Sequence, residues 1–326
     1  MVQLLAGFQV SQALYVTAKL GLADALIGGP RAVEDLAAIV GAAPAPLRRL
    51  LRTLSALGIV SQTSDDHYAV TPLGETLASG TPGSMRDLAV MWMETHYLPF
   101  SELIATVRDG RPAAERYYEQ PFFEWLAPQP EMVATFSRAM ANLTDGIKLG
   151  AIASYDFSGA GTVVDVGGAD GTLLAFVLAN NPSATGVLLD LPHVVPAAEK
   201  LLAERGLSQR ARVVGGDFFA EVPAGGDLYV ESFILHDWND EECVRILENV
   251  RRAASPSGRL VMFEFVVPPG DVPHMAKMID LTMLAMLTGC ERTEPEWRAL
   301  LARAGWRLER VVDTVTPLSV LEASIA

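Results

Sequence analysis

The stretch "TVVDVGGADGTLLAF" (162–176) constrains this chain more than any other. Its first five residues form a nearly continuous apolar run, the pattern of a strand covered on both faces. Glycines follow at once, and the apolar residues beyond them resume at helical spacing. The pattern recurs downstream, with strands expected at 162–166, 185–190, 211–215, 227–233 and 259–267, then at 306–314 and 320–326. Helical segments separate most of them. Strands alternating with helices bury their apolar faces as a doubly wound α/β layer. The expectation is a Rossmann-like, mostly parallel seven-stranded sheet over residues 151–326.

Residues 1–90 read as a separate helical module. "VSQALYVTAKLGLADAL" keeps helical spacing until Gly28-Gly29-Pro30, and "AVEDLAAIVG" and "PAPLRRLLRTLSALG" give two more helices. "IVSQTSDDHYAVTPLG" then reads as two short strands around a polar turn at Ser64 to His67. Helix, helix, helix, hairpin is the winged-helix order. Residues 91–150 read as a helical, aromatic-rich connector that borders a substrate pocket. The net charge of −14 opposes binding to duplex nucleic acid. Arg48, Arg49 and Arg52 share a helix with leucines 47, 50, 51, 54 and 57, so they read as the exposed face of a packed helix rather than a DNA-reading surface. Cys243 and Cys290 lie far apart and outside any CxxC arrangement, which implies neither a disulfide framework nor a zinc site. No apolar run reaches the roughly 18 residues of a membrane helix. The start lacks a basic leader, so a cytoplasmic location is expected.

The glycine cluster does not fit GxGxxG; it reads Asp165-x-Gly167-x-Ala169-x-Gly171. An acid at a strand end followed by small residues at alternate positions suits a ligand with an amino-acid end and no pyrophosphate, such as S-adenosylmethionine. Asp190 ends the second strand, where a carboxylate can accept both ribose hydroxyls. Asp217-Phe218 ends the third, offering an acceptor for an adenine amino group and a ring to lie against the base. A dehydrogenase is disfavoured by the missing dinucleotide spacing.

The run from Gly215 to Leu260, with "DVGG", "DLPHVV", "GDFF", "HDW" and "ERT" in order along the chain, resembles the class I S-adenosylmethionine-dependent O-methyltransferases. That family includes plant caffeate and flavonoid enzymes and bacterial relatives that tailor aromatic antibiotics. The resemblance covers nearly the whole chain and implies that the winged-helix module forms an interlocked homodimer. It implies that His236 is a general base flanked by Glu264 and Glu291. It places Gly167, Asp190, Asp217, Phe218 and Trp238 at the cofactor, and Phe136, Met140 and Met283 against an aromatic substrate. Ser232 stands where many plant members carry lysine, leaving a hydroxyl to bond the cofactor. Ala169 replaces a usual glycine, and "LTGCERT" is one residue shorter than in many relatives, which bears on the position of Glu291.

The chemistry agrees. A phenol ionises only near pH ~10, so a base within hydrogen-bond reach is useful, and a carboxylate behind an imidazole favours the imidazolium that forms. No metal is expected. Other readings in the same fold are N-methylation, or hydroxylation or decarboxylation without methyl transfer. From another class comes a winged-helix regulator that senses a small molecule. His96 and His274 are candidate second bases or pocket residues, His67 sits in the polar turn, and His193 at a helix start.

Overall fold

A computed structural model describes the backbone of residues 1–326 and the side chains of all but residues 143–146. The chain divides into two units, Met1–Gly146 and Ile147–Ala326.

In the first unit, helices Gly7–Leu20, Leu22–Leu26, Val33–Val40 and Pro44–Ala56 pack around Leu22, Leu26, Leu36, Leu51, Leu54 and Tyr68. Three short strands, β1 (Arg31–Ala32), β2 (Val60–Ser64) and β3 (His67–Val70), form an antiparallel sheet in the order β1-β3-β2. The expected hairpin therefore gains a third strand, too short at two residues to leave a periodic signal. On the helix Pro44–Ala56, Leu47, Leu51 and Leu54 are buried. Arg48 instead pairs with Asp66 and Glu34, each at 2.7 Å. Local acids thus engage that partly buried arginine.

The second unit holds the large sheet. Its strands are β4 (Thr162–Val166), β5 (Thr185–Asp190), β6 (Ala211–Gly215), β7 (Leu228–Ser232), β8 (Arg259–Glu264), β9 (Trp306–Asp313) and β10 (Ser319–Ile325). Their spatial order is β6-β5-β4-β7-β8-β10-β9, with β4 to β8 parallel and β10 antiparallel to both neighbours. The apolar runs are explained by burial on both faces. Val163, Val230, Val261 and Phe263 join one core, while Val164, Val166, Tyr229 and Met262 join the other. The strand order reverses beside β4, where ligands of open α/β sheets gather outside the carboxyl ends. Among the described residues, no helix is long and apolar enough to cross a membrane.

The helix Asp240–Ala253 starts immediately after the loop that follows β7, and its start is fixed by a capping box. Asn239 accepts from the Glu242 amide at 3.1 Å, and the Glu242 carboxylate accepts from the Asn239 amide at 3.3 Å. Asn239→Ala should destabilise the protein by about 1 kcal/mol, measured as a lower urea midpoint with an unchanged m-value.

Candidate active site at the carboxyl edge of β7 and β8

β7 ends at Ser232, and Phe233 then adopts φ 55°, a left-handed conformation uncommon for a residue with a side chain. The turn is held from the neighbouring strand. Glu264, the last residue of β8, accepts hydrogen bonds through Oε1 from the amides of Ile234 (3.1 Å) and Leu235 (3.0 Å). One 3₁₀ turn, Leu235–Asp237, follows and places His236 inside, with 9% of its surface exposed. Its Nδ1 lies 2.8 Å from Glu291 Oε1, and its Nε2 lies 3.4 Å from Asp237 Oδ1. His236, Glu264 and Glu291 each offer an atom within 4.8 Å of the other two. The three residues named from the sequence are thus brought together from a strand end, a turn and a loop.

Three further residues shape this cluster. The buried Arg292 guanidinium donates to the carbonyls of Leu235 and Trp238, both at 3.1 Å, and to Asp240 at 2.8 Å. Asp280 accepts from the Glu291 amide at 2.9 Å and so fixes the loop before it. Asp237 is the third acid around the imidazole. Sequence reasoning missed all three. Arg292 is the middle residue of "ERT", and a charged residue beside a candidate acid was the only signal available.

The electrostatics follow from burial and charge. Burial works against a charged ring at His236, but Asp237, the hydrogen bond to Glu291 and Glu264 outweigh it and push the imidazole up to about 10. Burial pushes the Glu264 carboxyl up to about 7, with His236 pulling the other way. Glu264 Oε2 and Glu291 Oε2 are buried without a hydrogen-bond partner.

The strand-end residues form a second group. Gly167 has φ +71°, and a Cβ there would lie 2.4 Å from Ile234 Cδ1 and 3.8 Å from Phe218 Cε1. Asp190 Oδ2 accepts from the Ala169 amide at 2.8 Å, which joins the ends of β4 and β5. Asp217 accepts from the Phe219 amide at 2.9 Å, and the Phe218 ring meets Trp238 edge-on with centroids 6.1 Å apart. The Ser232 hydroxyl is buried without a partner. A glycine cradle, two strand-end acids, aromatic rings and an unpaired hydroxyl suit a nucleoside with an amino-acid tail.

The other candidates are distributed differently. Phe136 and Met140 pack against Leu88, Met91 and Ala139 in the first unit. Met283 is buried in the helix Met275–Met286 of the second, where Met275 and Met278 are exposed. His96 is partly buried: it contacts Thr95 Oγ1 at 2.6 Å, meets Phe122 edge-on, and is pushed by burial down to about 3. His274 caps the helix Met275–Met286 by accepting from the Ala276 amide at 3.2 Å. It also lines a cleft of about 660 Å³ with Val267, Thr293, Asp313 and Thr316. That cleft includes neither the histidine cluster nor the strand-end group, so volume alone does not mark the chemistry here. His67 and His193 are exposed.

A family model described as the O-methyltransferase domain matches residues 100–307, and one described as the O-methyltransferase dimerisation domain matches residues 2–80. The chain is 42% identical over 323 residues to phenazine O-methyltransferase PhzM of Lysobacter antibioticus, covering 99% of this chain and 95% of that protein. It is 38% identical over 303 residues to 8-amino-8-demethylriboflavin N,N-dimethyltransferase of Streptomyces davaonensis, covering 91% and 87%. Among solved structures, it resembles the O-methyltransferase NcsB1 from neocarzinostatin biosynthesis in complex with S-adenosylmethionine and 2-hydroxy-5-methyl naphthoic acid. That match has a TM-score of 0.84 at 34% identity and covers 97% of this chain and 96% of the other.

One glycine controls the approach of the two site loops. A Cβ on Gly289 would lie 2.0 Å from the His236 carbonyl oxygen and 2.5 Å from the Asp237 carbonyl carbon. Gly289→Ala should therefore cost about 1–3 kcal/mol in urea unfolding and displace the His236 imidazole resonances in an NMR spectrum.

Proposed function

The chain belongs to the class I S-adenosylmethionine-dependent O-methyltransferases of the plant caffeate and flavonoid type, among bacterial relatives from natural-product biosynthesis, and on that premise we propose that it methylates a phenolic hydroxyl of an aromatic metabolite with His236 as general base. The observation that carries this reading is the His236–Glu291 contact of 2.8 Å beside the free oxygen of Glu264. Glu291 fixes the tautomer with hydrogen on Nδ1, which leaves Nε2 to accept a proton. S-adenosylmethionine supplies a methyl group on a sulfonium that leaves as a neutral thioether. The protein's part is then to hold the phenol, exclude water and take its proton. No metal enters the proposal.

In this reading Gly167 gives the cofactor's amino-acid end close backbone approach, and the Ser232 hydroxyl is a partner for it. Asp190 accepts the ribose hydroxyls, Asp217 meets the adenine amino group, and Phe218 and Trp238 flank the base. Phe136, Met140 and Met283 contact the aromatic ring of the substrate. The first residues expose Met1, Val2, Leu4, Leu5 and Phe8, an apolar stretch suited to burial by a second copy. We therefore read the working form as a homodimer joined through residues 2–80. The relationship to a riboflavin N,N-dimethyltransferase favours one second reading, in which the acceptor is an aromatic amine. Methyl transfer from isotopically labelled S-adenosylmethionine to paired phenols and anilines, followed by mass spectrometry, separates the two; product from anilines alone would reject the phenol reading.

His236→Ala should lower kcat by about 10²–10⁴-fold with little change in the cofactor Kd, whereas Asp190→Ala should weaken cofactor binding in calorimetry. Because the active ring is neutral and its acids favour the charged form, kcat/KM should rise with pH through an apparent pKa above the ordinary histidine value of about 6.5. Glu291→Gln should bring that limb to lower pH while reducing kcat.

A further inference from the structure

Glu231 has no part in the roles assigned so far. It lies on β7 at the centre of the sheet, fully buried, and neither carboxylate oxygen has a hydrogen-bond partner. Such an acid in an apolar layer is expensive unless something nearby uses it. The strand register shows what is nearby. Glu231 pairs with Met262 on β8, so Glu231 and Glu264 point to the same face of adjacent strands, two positions apart. With strands about 4.8 Å apart and a rise of about 3.3 Å per residue, such neighbours on parallel strands have Cα atoms about 8 Å apart, within reach of two long side chains. Three oxygens on this face, both of Glu231 and Oε2 of Glu264, are without partners.

The charges of the two acids are not equivalent. Glu264 accepts two amide hydrogen bonds and faces the His236 ring, and both features stabilise its ionised form. Glu231 has neither. Two adjacent buried negative charges repel, so one proton belongs to the pair and Glu231 is the better place for it. We propose that Glu231 is a positioning residue that carries this proton and offers it to Glu264 Oε2 through one buried water, so that Glu264 stays ionised beside the catalytic imidazole. The other groups facing Glu231 are the Cys243 thiol from the helix Asp240–Ala253 and, through the sheet from β4, Asp165. Arg292 reaches the Cys243 sulfur at 3.6 Å. The groups around His236 are Asp237, Glu264 and Glu291. Burial, with Glu264 and Asp165 adding to it, pushes the Glu231 carboxyl up to about 8, in the same direction as the geometry.

The inference rests on His236 as the base, and its test separates the two claims. The imidazole midpoint of His236 is read by NMR in full-length protein carrying ¹⁵N-labelled histidine, alongside the pH profile of kcat/KM. Glu231→Gln retains a neutral donor and should leave the midpoint within about 0.3 pH unit, since it removes no charge from the 4–6 Å range that shifts a pKa. Glu231→Leu removes the donor, so Glu264 takes up the proton. His236 then loses an anionic neighbour and its midpoint falls by about one pH unit or more, with the acidic limb of kcat/KM moving the same way. In a Glu264→Gln background, Glu231→Leu should add no further change. An unmoved midpoint in Glu231→Leu, or an equal fall in Glu231→Gln, overturns the proposal. If Glu231→Leu does not fold, Glu231→Met is read by the same criteria. Undiminished activity in His236→Ala would sink the base assignment instead, while the NMR midpoints would still judge Glu231.

Discussion

The carboxylate of Glu264 is the interaction on which the site depends. It is the last residue of a central strand, fully buried, and it reaches across to two amides of the turn that follows β7. That turn includes a non-glycine residue with positive φ, a conformation that persists only where surrounding contacts over-determine it. These two hydrogen bonds act with the Arg292 guanidinium on the Leu235 carbonyl to hold the turn. The same side chain thus helps set the backbone path and supplies part of the field around the imidazole. Removing it would leave two buried amides without acceptors and one fewer anion at the ring, so its structural and electrostatic roles are inseparable.

The surrounding charges pull in opposite directions. Asp237, Glu264 and Glu291 make the imidazole a strong proton acceptor, but they also favour the protonated ring in the free protein. In the proposed reaction the positive charge of the cofactor opposes that proton, so ring basicity and cofactor binding are linked. Arg292 does not cancel the acids. Its guanidinium is occupied by three carbonyls and Asp240, and it serves as a brace.

Much of this organisation was legible in the residues. A parallel sheet leaves continuous apolar runs, and a ligand site at strand ends leaves acids and glycines immediately after them, so "TVVDVGGADG", Asp190 and Asp217 were readable from local pattern. Glu264 and Glu291 were recognisable only through motif order, because nothing local says that positions 264 and 291 meet at 236. Glu231 looked like an ordinary polar residue near a strand end. Its interest comes from the β7–β8 register, a long-range property. Arg292 and Asp280 act on backbone groups dozens or a dozen residues away, and such pairings leave no periodic trace. Phe136, Met140 and Met283 show the opposite limit, since an apolar residue that packs and one that recognises a ring are spelled alike.

Arg292 has one more consequence. Its guanidinium joins the segment 235–240 to its own loop, which carries Glu291, across more than fifty residues of chain. The His236 imidazole and its Glu291 partner thus belong to one cooperative unit of local opening. A fluctuation that frees the turn after β7 must release the arginine from two carbonyls and an aspartate, and the Glu291 loop loosens with it. Half-assembled states, in which the imidazole remains placed but has lost its contact with Glu291, are correspondingly depleted from the native ensemble. Site integrity becomes close to all-or-none, set by one opening free energy rather than by two independent ones.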